Sequence, residues 1–255
     1  MISFKLLGKY GRLGNQMFQF AFLYGAGKKN GYEIGFDYSN DPLIAKIFNL
    51  PAKNSDNITQ SNILDERGNC GYIETKGIND GTDLKGYFQN NKYIDEIEPE
   101  LRSIFIFNED KTKKCYEFIK QLKEKVGKQI VSLHVRRTDY LTAADTHFVC
   151  DKNYYEQAIK NFGKDYYYIL FTDDKKWCAE EFKHVPNIIM NNNTEIDLLL
   201  MSLCDHHIIS NSSYSWWGSW LNENLNKKII APKRWYNKKA PINWHEIYRK
   251  DMVLI

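Results

Sequence analysis

The stretch “YYYILFTDDKKWCAEEFKHVPNIIMNNNTEIDLLLMSLCDHHIIS” (residues 166–210) alternates short apolar runs with longer segments whose apolar residues recur at helical spacing. The short runs predict three strands, “YYYILFTDD”, “NIIMN” and “HHIIS”, and the longer segments predict two helices between them, “KKWCAEEFKHV” and “TEIDLLLMSLC”. Strands that alternate with helices at this spacing are parallel and are joined by right-handed crossovers. The stretch therefore predicts a doubly wound α/β sheet.

The same alternation continues on both sides of this stretch. Before it we predict a basic helix (“KTKKCYEFIKQLKEKVG”), a strand (“QIVSLHVRR”) and a helix (“DKNYYEQAIKNFG”), and after it a helix (“SYSWWGSWLNEN”). A separate strand, loop and helix open the chain (“MISFKLLG”, “GKYGRLGNQ”, “MFQFAFLYGAGKKNG”). We therefore expect two domains, residues 1–125 and 126–235, followed by a C-terminal segment, 236–255, that can pack back on the first domain.

Residues 37–110 carry much less periodicity, because Asn, Asp and Gly are scattered through them. The segment “CGYIET” is a candidate strand, and “YFQNNKYIDEIEPELRSIF” is expected to lead into a helix that ends near Phe105. We expect this region to form the variable part of the first domain.

The composition narrows the classes of function. A net charge of +3 in 255 residues is too mild to indicate nucleic-acid binding, whereas 15% aromatic residues favour a carbohydrate or nucleotide site. Five scattered cysteines without a C-x-x-C pair predict neither a disulfide framework nor a zinc site. The sequence has no apolar run of about 20 residues and no signal peptide, so we expect an intracellular protein. The N-glycosylation sequons at Asn57, Asn192 and Asn211 do not indicate glycosylation, because such matches occur by chance in an Asn-rich chain.

Polar residues collect where the predicted strands of the second domain end. In an open parallel sheet the carboxyl ends of the strands share one edge, and ligands bind in the crevice beyond it. The residues expected to converge there are His134, Arg136, Arg137, Asp139, Thr172, Asp173, Asp174, Ser210, Asn211, Ser212 and Ser213. This convergence predicts a polar binding site.

Two adjacent arginines follow the strand “QIVSLHV”. Because neighbouring residues in extended backbone point to opposite faces, one arginine can reach the crevice while the other pairs with a local carboxylate. We expect Arg136 to bind phosphate oxygens through its forked guanidinium and Arg137 to pair with Asp139. His134 lies on the same strand face as Arg136 and can hydrogen-bond a base, a sugar or the backbone; a buried histidine with internal partners is the alternative.

The other strand ends predict a nucleotide contact and two helix caps. Asp173 is expected to accept a hydrogen bond from the N–H edge of a purine, and Asp174 to cap the following helix. Ser212 or Ser213 is expected to cap the helix near “YSWWG”, whose first-turn amides then form an anion site. The tryptophans of that helix are expected to pack in the core, and Gly218 to allow a close approach.

Common phosphate and metal motifs are absent from the sequence. Gly8, Gly11 and Gly14 are spaced by three and do not form the dinucleotide motif G-x-G-x-x-G, while Asn15 and Gln16 are expected at a helix start, facing the mouth of the site. Without D-x-D, a Walker loop or H-E-x-x-H, we expect no metal cofactor. Protein cations and helix amides would then stabilise the charge that develops on a leaving nucleoside diphosphate.

Five segments together resemble the α-1,2-fucosyltransferases of glycosyltransferase family 11. They are “GRLGNQMFQFA” (11–21), “HVRRTDY” (134–140), “FTDD” (171–174), “MSLCDHHIISNSSYSWWGSWL” (201–221) and “APKRWY” (231–236). The matches occur in the family's order over most of the chain. The motif H-x-R-R-x-D is shared with α-1,6- and protein-O-fucosyltransferases and indicates GDP-fucose more than linkage, whereas the first and fourth segments narrow the choice to α-1,2.

The resemblance implies a GT-B-like fold of two Rossmann-like doubly wound domains facing a cleft. It implies inverting, metal-independent transfer of L-fucose from GDP-β-L-fucose to the 2-hydroxyl of a terminal galactose in a glycan or surface-polysaccharide precursor. By similarity Arg136 would hold the β-phosphate, His134 and Asp173 the guanine, and Ser212 and Ser213 the diphosphate. The remaining implied site residues are Thr172, Ser210 and Asn211 on the donor side, and Gly14, Asn15 and Gln16 from the N-terminal domain.

Several alternatives stay open at this point. Asp139, Asp145 and His147 compete for the role of general base, and Asp139 can instead be structural. The donor can be another GDP-deoxysugar, the linkage another fucosyl linkage, or the protein a non-catalytic glycan or nucleotide-binding protein. We expect a cytoplasmic location, with the basic, aromatic segment “KRWYNKKAPINWHEIYRK” lying against an anionic membrane or packed on the first domain.

Overall fold

The computed structural model describes residues 1–55, 61–190 and 192–255. The sequon at Asn57 lies outside these residues. The sequon at Asn211 falls in the interior, because this residue is fully buried. Glycosylation at Asn211 is therefore incompatible with the fold.

The chain divides into two compact units, residues 1–107 with 241–249 and residues 108–240 with 250–255. The sequence placed the boundary after residue 125. In the structure, the helix Glu109–Val126 belongs to the second unit because it packs against the helix Thr194–Leu203. The segment predicted as 236–255 is shared between the two units.

The first unit is built on a parallel sheet. Its elements are β1 (Ile2–Phe4), α1 (Leu13–Asn30), β2 (Ile34–Phe36), α2 (Leu43–Ile47), β3 (Lys53–Asn54), β4 (Asn62–Asp65), β5 (Thr82–Lys85), α3 (Asn91–Asp95) and α4 (Glu98–Ile104), with 3-10 turns at Tyr38–Asn40 and Trp244–Ile247. The strand order is β3-β2-β1-β5-β4, and every pair is parallel. The predicted helix before Phe105 is split into α3 and α4, with Glu96 and Ile97 between them.

Helix α1 forms the centre of the first unit. It is buried along most of its length because apolar residues cover nearly its whole circumference, which is typical of a core helix. It ends where Gly31 takes a left-handed conformation with φ of 68°, which glycine adopts without strain. Although α1 is long and apolar, no helix among the described residues is long and apolar enough to cross a membrane.

The segment “CGYIET” (70–75) is not a strand, contrary to the sequence prediction. Its amides donate to single groups outside any strand: that of Cys70 to the carbonyl of Ile242 (2.8 Å), that of Tyr72 to Glu246 (3.1 Å) and that of Ile73 to the hydroxyl of Tyr93 (2.6 Å). Apolar alternation alone could not reveal this, because the partners lie up to 174 residues away.

The second unit follows the predicted alternation. Its elements are α5 (Glu109–Val126), β6 (Gln129–Val135), α6 (Thr138–Thr142), α7 (Lys152–Phe162), β7 (Tyr166–Thr172), α8 (Lys175–Glu181), β8 (Asn187–Ile189), α9 (Thr194–Leu203), β9 (His206–Ile208), α10 (Ser213–Leu221), β10 (Ile229–Ala231) and β11 (Met252–Leu254). The strand order is β11-β10-β9-β6-β7-β8, and all pairs are parallel. The prediction of a doubly wound α/β fold is confirmed.

Each sheet contains a point where the chain reverses the direction in which it adds strands. In the first unit, β2 and β3 lie on one side of β1, and β5 and β4 on the other. In the second unit, β7 and β8 lie on one side of β6, and β9, β10 and β11 on the other. The crevices between β1 and β5, and between β6 and β9, are therefore the topological switch points where ligands of such sheets bind.

Helices α9 and α10 approach each other closely behind the second switch point. A Cβ atom on Gly218 of α10 would lie only 2.9 Å from Cβ of Met201 on α9, which explains the glycine. Trp216, Trp217 and Trp220 of α10 are buried and stack edge to face, so the prediction that they pack in the core is confirmed.

Candidate functional site

The site in the second unit lies at the switch point between β6 and β9. Strand β6 is a buried central strand, and its register pairs Leu133 with Ile208 of β9 and Val135 with Thr172 of β7. The three strands therefore end together. The residues that follow them, beginning at Arg136, Asp173 and Ile209, share one edge of the sheet.

Arg136 is fixed between two carboxylates at this edge. Its Nη2 donates to Asp139 Oδ2 (2.5 Å), and its Nη1 lies 2.8 Å from Asp173 Oδ2. The guanidinium carbon also lies 5.5 Å from the centre of the Tyr140 ring. The side chain is mostly buried, so its planar fork is held in one orientation.

Arg137 does not pair with Asp139 as the sequence suggested. Its Nε lies 3.3 Å from Asp174 Oδ2, and its guanidinium lies over the Trp177 ring, 4.1 Å from the centre. Asp139 pairs instead with Arg136, because the chain turns into α6 directly after β6 and brings residues three apart to the same side. The prediction that Asp174 caps α8 is confirmed, since its carboxylate accepts from the amide of Trp177 (3.1 Å).

Asp173 organises the turn that carries Arg136. Besides the ion pair, its carboxylate accepts from the amide of Arg137 (2.9 Å) and the hydroxyl of Thr138 (2.7 Å). Burial raises the pKa of Asp173, but these hydrogen bonds and the charge of Arg136 outweigh it, so the pKa lies below its ordinary value. Asp173 is therefore ionised and already well occupied by protein donors. A contact with guanine stays a prediction.

His134 lies at the floor of the site and is buried. Its Nδ1 lies 2.8 Å from Ser210 Oγ and 2.9 Å from Ser215 Oγ, while its ring is tilted against that of Tyr214. Burial, and then the charge of Arg136, lowers the pKa of His134 to about 3, so the ring is neutral at physiological pH. The histidine thus has internal partners, as the alternative interpretation held.

The sequence interpretation did not include Ser215. The signal that could have found it is helical spacing, since Ser215 follows Ser212 by three residues and so lies on the same face of α10. Its hydroxyl joins the helix to the strand end through His134.

The start of α10 differs in detail from the prediction. Ser212 occupies the N-cap position, but its side chain does not cap the helix. Its amide donates to the carbonyl of Ser210 (2.7 Å), and its carbonyl accepts from the amide of Trp216 (3.0 Å). Ser213 is the first helical residue. Helix α10 therefore begins without a side-chain cap from Ser212.

Asn211 and Thr172 have structural partners. The Asn211 amide group donates to the carbonyls of Phe148 (2.6 Å) and Trp235 (2.7 Å) and is fully buried. The Thr172 hydroxyl accepts from the amide of Asp174 (2.9 Å). Both residues shape the loops of the site, and the contact with a donor that was expected of Asn211 is not supported by its position.

Gly14, Asn15 and Gln16 lie at the start of α1 in the first unit. Gln16 is buried: its Oε1 accepts from the amide of Ile44 (3.0 Å) and its Nε2 lies 3.4 Å from the carbonyl of Gly11. Asn15 accepts from Gln89 (2.7 Å). Gln16 therefore holds loops of the first unit together, because a buried amide needs internal partners. The Gln16 side chain therefore does not face the mouth of a binding site, contrary to the sequence prediction.

The three candidate bases lie in different settings. The Asp139 carboxylate is 46% exposed and contacts Arg136, whereas Asp145 is 77% exposed and pairs with Lys239 at 3.5 Å. The His147 ring is stacked on Tyr140, with ring centres 4.2 Å apart, and burial lowers its pKa. Only Asp139 among the three contacts the arginine of the site directly.

The fold and the site together define a glycosyltransferase fold of the GT-B type. The structure is similar to that of NodZ α-1,6-fucosyltransferase crystallised with GDP, with a TM-score of 0.55, 14% identity, and coverage of 86% of this chain and 91% of the other. It is also similar to a family 9 glycosyltransferase from Veillonella parvula (TM-score 0.53, 10% identity, coverage 100% and 86%). At these identities the likeness concerns the fold alone.

The chain belongs to glycosyltransferase family 11, whose model matches residues 7–255. It is 36% identical to the Escherichia coli O-antigen biosynthesis glycosyltransferase WbnK over 65% of this chain and 59% of that protein. It is 29% identical to an Escherichia coli α-1,2-colitosyltransferase over 90% and 91%. It is 25% identical to mouse galactoside 2-α-L-fucosyltransferase Sec1 over 83% and 62%. The chain thus spans less than two thirds of WbnK and of Sec1.

Proposed function

We propose that this protein transfers L-fucose from GDP-β-L-fucose to the 2-hydroxyl of a terminal galactose in an oligosaccharide or surface-polysaccharide precursor, with inversion at the sugar carbon. The observation that carries the proposal is Arg136, held directly after β6 between Asp139 and Asp173. Family membership and relatives whose names describe α-1,2 transfer support the choice of reaction.

Arg136 binds the β-phosphate in this proposal. Asp173 keeps one edge of the guanidinium fixed through its additional hydrogen bonds, whereas the more exposed Asp139 can move away from the other edge. That edge then donates to phosphate oxygens, and the first-turn amides of α10 with the Ser212 hydroxyl complete the anion site. These donors stabilise the charge that grows on the leaving GDP.

Asp139 takes the proton of the acceptor hydroxyl. Once released from Arg136, its carboxylate is accessible and lies beside the phosphate site where the sugar bond breaks. Inversion requires the acceptor hydroxyl to attack on the face of the sugar opposite the leaving diphosphate, so in this proposal Asp139 moves away from Arg136 toward the acceptor before it takes the proton. Asp145 and His147 do not contact Arg136, which favours Asp139 among the three.

The proposed reaction does not require a metal ion. A cationic guanidinium and helix amides supply the positive potential that a divalent ion would otherwise give. In the described part of the chain, no group of three or more His, Cys, Asp or Glu side chains could hold a metal ion. Activity in EDTA is therefore expected.

A direct assay tests the proposal. The protein is incubated with GDP-fucose, lactose and EDTA, GDP release is followed, and the product linkage is determined by NMR. We expect an α-1,2-fucosylated product. Binding of GDP without any turnover on lactose or other β-galactosides would favour a non-catalytic binding protein and contradict the proposal.

A second donor deserves the same assay because one relative is named an α-1,2-colitosyltransferase. The alternative donor is then another GDP-deoxysugar, with GDP-colitose as the one to assay. The two GDP-sugars are compared in a competition assay. A higher kcat/KM for GDP-fucose supports the proposal above. A higher kcat/KM for GDP-colitose would mean that colitose is the sugar transferred, with the reaction otherwise as proposed.

A further inference from the structure

Glu66 is a buried carboxyl group at the ligand-binding edge of the first sheet. It directly follows β4, and only 5% of it is exposed. Its Oε2 accepts from the amide of Tyr87 (3.0 Å), and the amide of Phe88 also stabilises the carboxylate. Its Oε1 is buried and, among the described residues, has no hydrogen-bond partner. A buried carboxylate oxygen without a hydrogen-bond partner lowers the stability of the fold. Such a group in a native protein calls for an explanation, and a functional role is one.

The segment that Glu66 holds has a strained backbone. Gly86 has φ of 151°, and a Cβ atom there would lie 2.5 Å from Glu66 Oε2. Phe88 has φ of 52°, which is unfavourable for a bulky side chain, and its ring is fixed by stacking on Phe22 with centres 4.0 Å apart. Strained residues persist when the surroundings hold them, and they cluster where ligands bind.

This segment leaves β5 at the topological switch point of the first sheet. Gln19 ties it to the loop after β1, because its Nε2 donates to the carbonyls of Gly86 (2.9 Å) and Tyr10 (3.3 Å). The segment carries Tyr87, a residue that is 39% exposed. An exposed aromatic ring beside polar groups at such a crevice suits the apolar face of a sugar ring.

Resting on the proposed function, we infer that the Tyr87 ring contacts the acceptor glycan and that Glu66 is a positioning residue, which fixes Tyr87 by binding the amides of the strained turn. The acceptor class is a pyranoside whose apolar face packs on the ring. Burial, together with the neighbouring Asp65 carboxylate and against the opposing amides of Tyr87 and Phe88, raises the pKa of Glu66 to about 7, so the charge that holds the turn changes near neutral pH. Cys70 and Tyr93 are further titratable groups that interact with Glu66, and burial raises the pKa of both, so they stay neutral in this range.

The test measures acceptor affinity separately from transfer. Binding of lactose in the presence of GDP is titrated by NMR for the wild type, Tyr87→Ala and the control Tyr32→Ala. Tyr32 has nearly the same exposure, 38%, but precedes β2 and so lies at the opposite edge of the sheet. We expect lactose affinity to fall about tenfold for Tyr87→Ala and to stay unchanged for Tyr32→Ala.

The positioning role predicts a pH dependence that a purely structural role does not. In the wild type, the KM for lactose should rise as pH falls through about 7, because protonation removes the negative charge to which the amides of Tyr87 and Phe88 donate, although burial of that same charge lowers the stability of the whole fold at higher pH. Glu66→Gln mimics the protonated form, so its KM should be high and independent of pH, while its affinity for GDP stays unchanged.

Two results would overturn the inference. One is a lactose affinity of Tyr87→Ala equal to that of the wild type; the other is an unchanged pH profile in a folded Glu66→Gln variant. If Glu66→Gln does not fold, the Tyr87→Ala titration alone decides. In the first case, continued transfer by Tyr87→Ala would leave the proposed function intact, whereas lactose binding by the wild type without any transfer would contradict the proposed function alone.

Discussion

At the scale of single residues, charge and hydrogen bonding decide which groups can act. Arg136 and Arg137 are adjacent in sequence, yet one lies between two site carboxylates and the other covers Trp177. The backbone turns from β6 into α6 here, with ψ of −56° at Arg137, and this turn directs the two side chains to different carboxylates, so the same charge has two different roles. This pair allows a matched comparison of substitutions.

We expect Arg136→Lys to lower kcat/KM about 100-fold. The guanidinium contacts a carboxylate through one edge and the phosphate through the other, and a single ammonium group cannot make both contacts. Arg137→Lys is the control, since it keeps a cation beside Asp174 and should retain most activity. Steady-state rates with GDP-fucose and lactose measure both. Equal activities for the two variants would contradict the assignment of Arg136 to the phosphate.

Asp139→Asn should lower kcat by about 100-fold or more, since it removes the proposed base, and should leave GDP affinity close to that of the wild type. Asp145→Asn serves as its control because Asp145 is exposed and pairs with Lys239. Calorimetry with GDP and initial rates separate binding from chemistry. Loss of GDP binding or of folding in Asp139→Asn would mark Asp139 as structural.

Glu66 should make folding stability depend on pH. Its pKa is raised from 4.5 to about 7 in the folded protein, so the folded state binds the proton more tightly than the unfolded state. Its contribution to stability is therefore present below pH 4.5 and is lost as pH rises to about 7, by up to about 3 kcal/mol.

Urea denaturation at several pH values measures this effect. The free energy of unfolding of the wild type relative to Glu66→Gln should fall across that interval. A constant difference between the two proteins would show that Glu66 does not change its pKa on folding.

At the scale of secondary-structure elements, close packing sets the positions of the helices behind the site. Helix α10 carries Ser215, and its approach to α9 depends on the missing side chain of Gly218. Residues on α10 can hold His134 only if the helix stays at this distance. Sequence periodicity predicts the helix, but not the neighbour against which it packs.

Gly218→Ala should destabilise the protein by about 1–3 kcal/mol, because its Cβ would lie 2.9 Å from Met201 Cβ in a packed interior. Gly25→Ala in α1 is the matched control. Its nearest neighbour, Ile97, would lie 3.5 Å from the new Cβ, and alanine favours a helix, so stability should be equal or slightly higher. Thermal denaturation compares the two. Similar losses for both would contradict the packing argument.

At the scale of the whole molecule, the chain forms two units, each with a parallel sheet and its own switch point. The family 11 model covers both, and the similar solved structures show the GT-B type of fold. The proposed donor site lies entirely in the second unit, and the inferred acceptor contact lies in the first. Ligands should therefore affect the two units differently.

Hydrogen exchange can test this division. GDP should slow amide exchange in residues 134–139, 172–174 and 210–216, because phosphate contacts order the strand ends and the first turn of α10. Residues 62–66 and 86–91, at the inferred acceptor edge, should keep their exchange rates with GDP and respond to lactose. ADP is the control nucleotide. Protection by GDP confined to residues 1–107 would contradict the proposed donor site.

The sequence alone determined the alternation of strands and helices in the second unit, the strand ends at which polar residues collect, and the family. These features are local, since hydrophobic periodicity and adjacent motifs encode them. The tertiary structure decided which carboxylate each arginine meets, that Asn211 and Gln16 face inward, that residues 70–75 are not a strand, and that Glu66 binds a turn about twenty residues away. Such contacts join distant segments through side-chain geometry and burial, which no local pattern records.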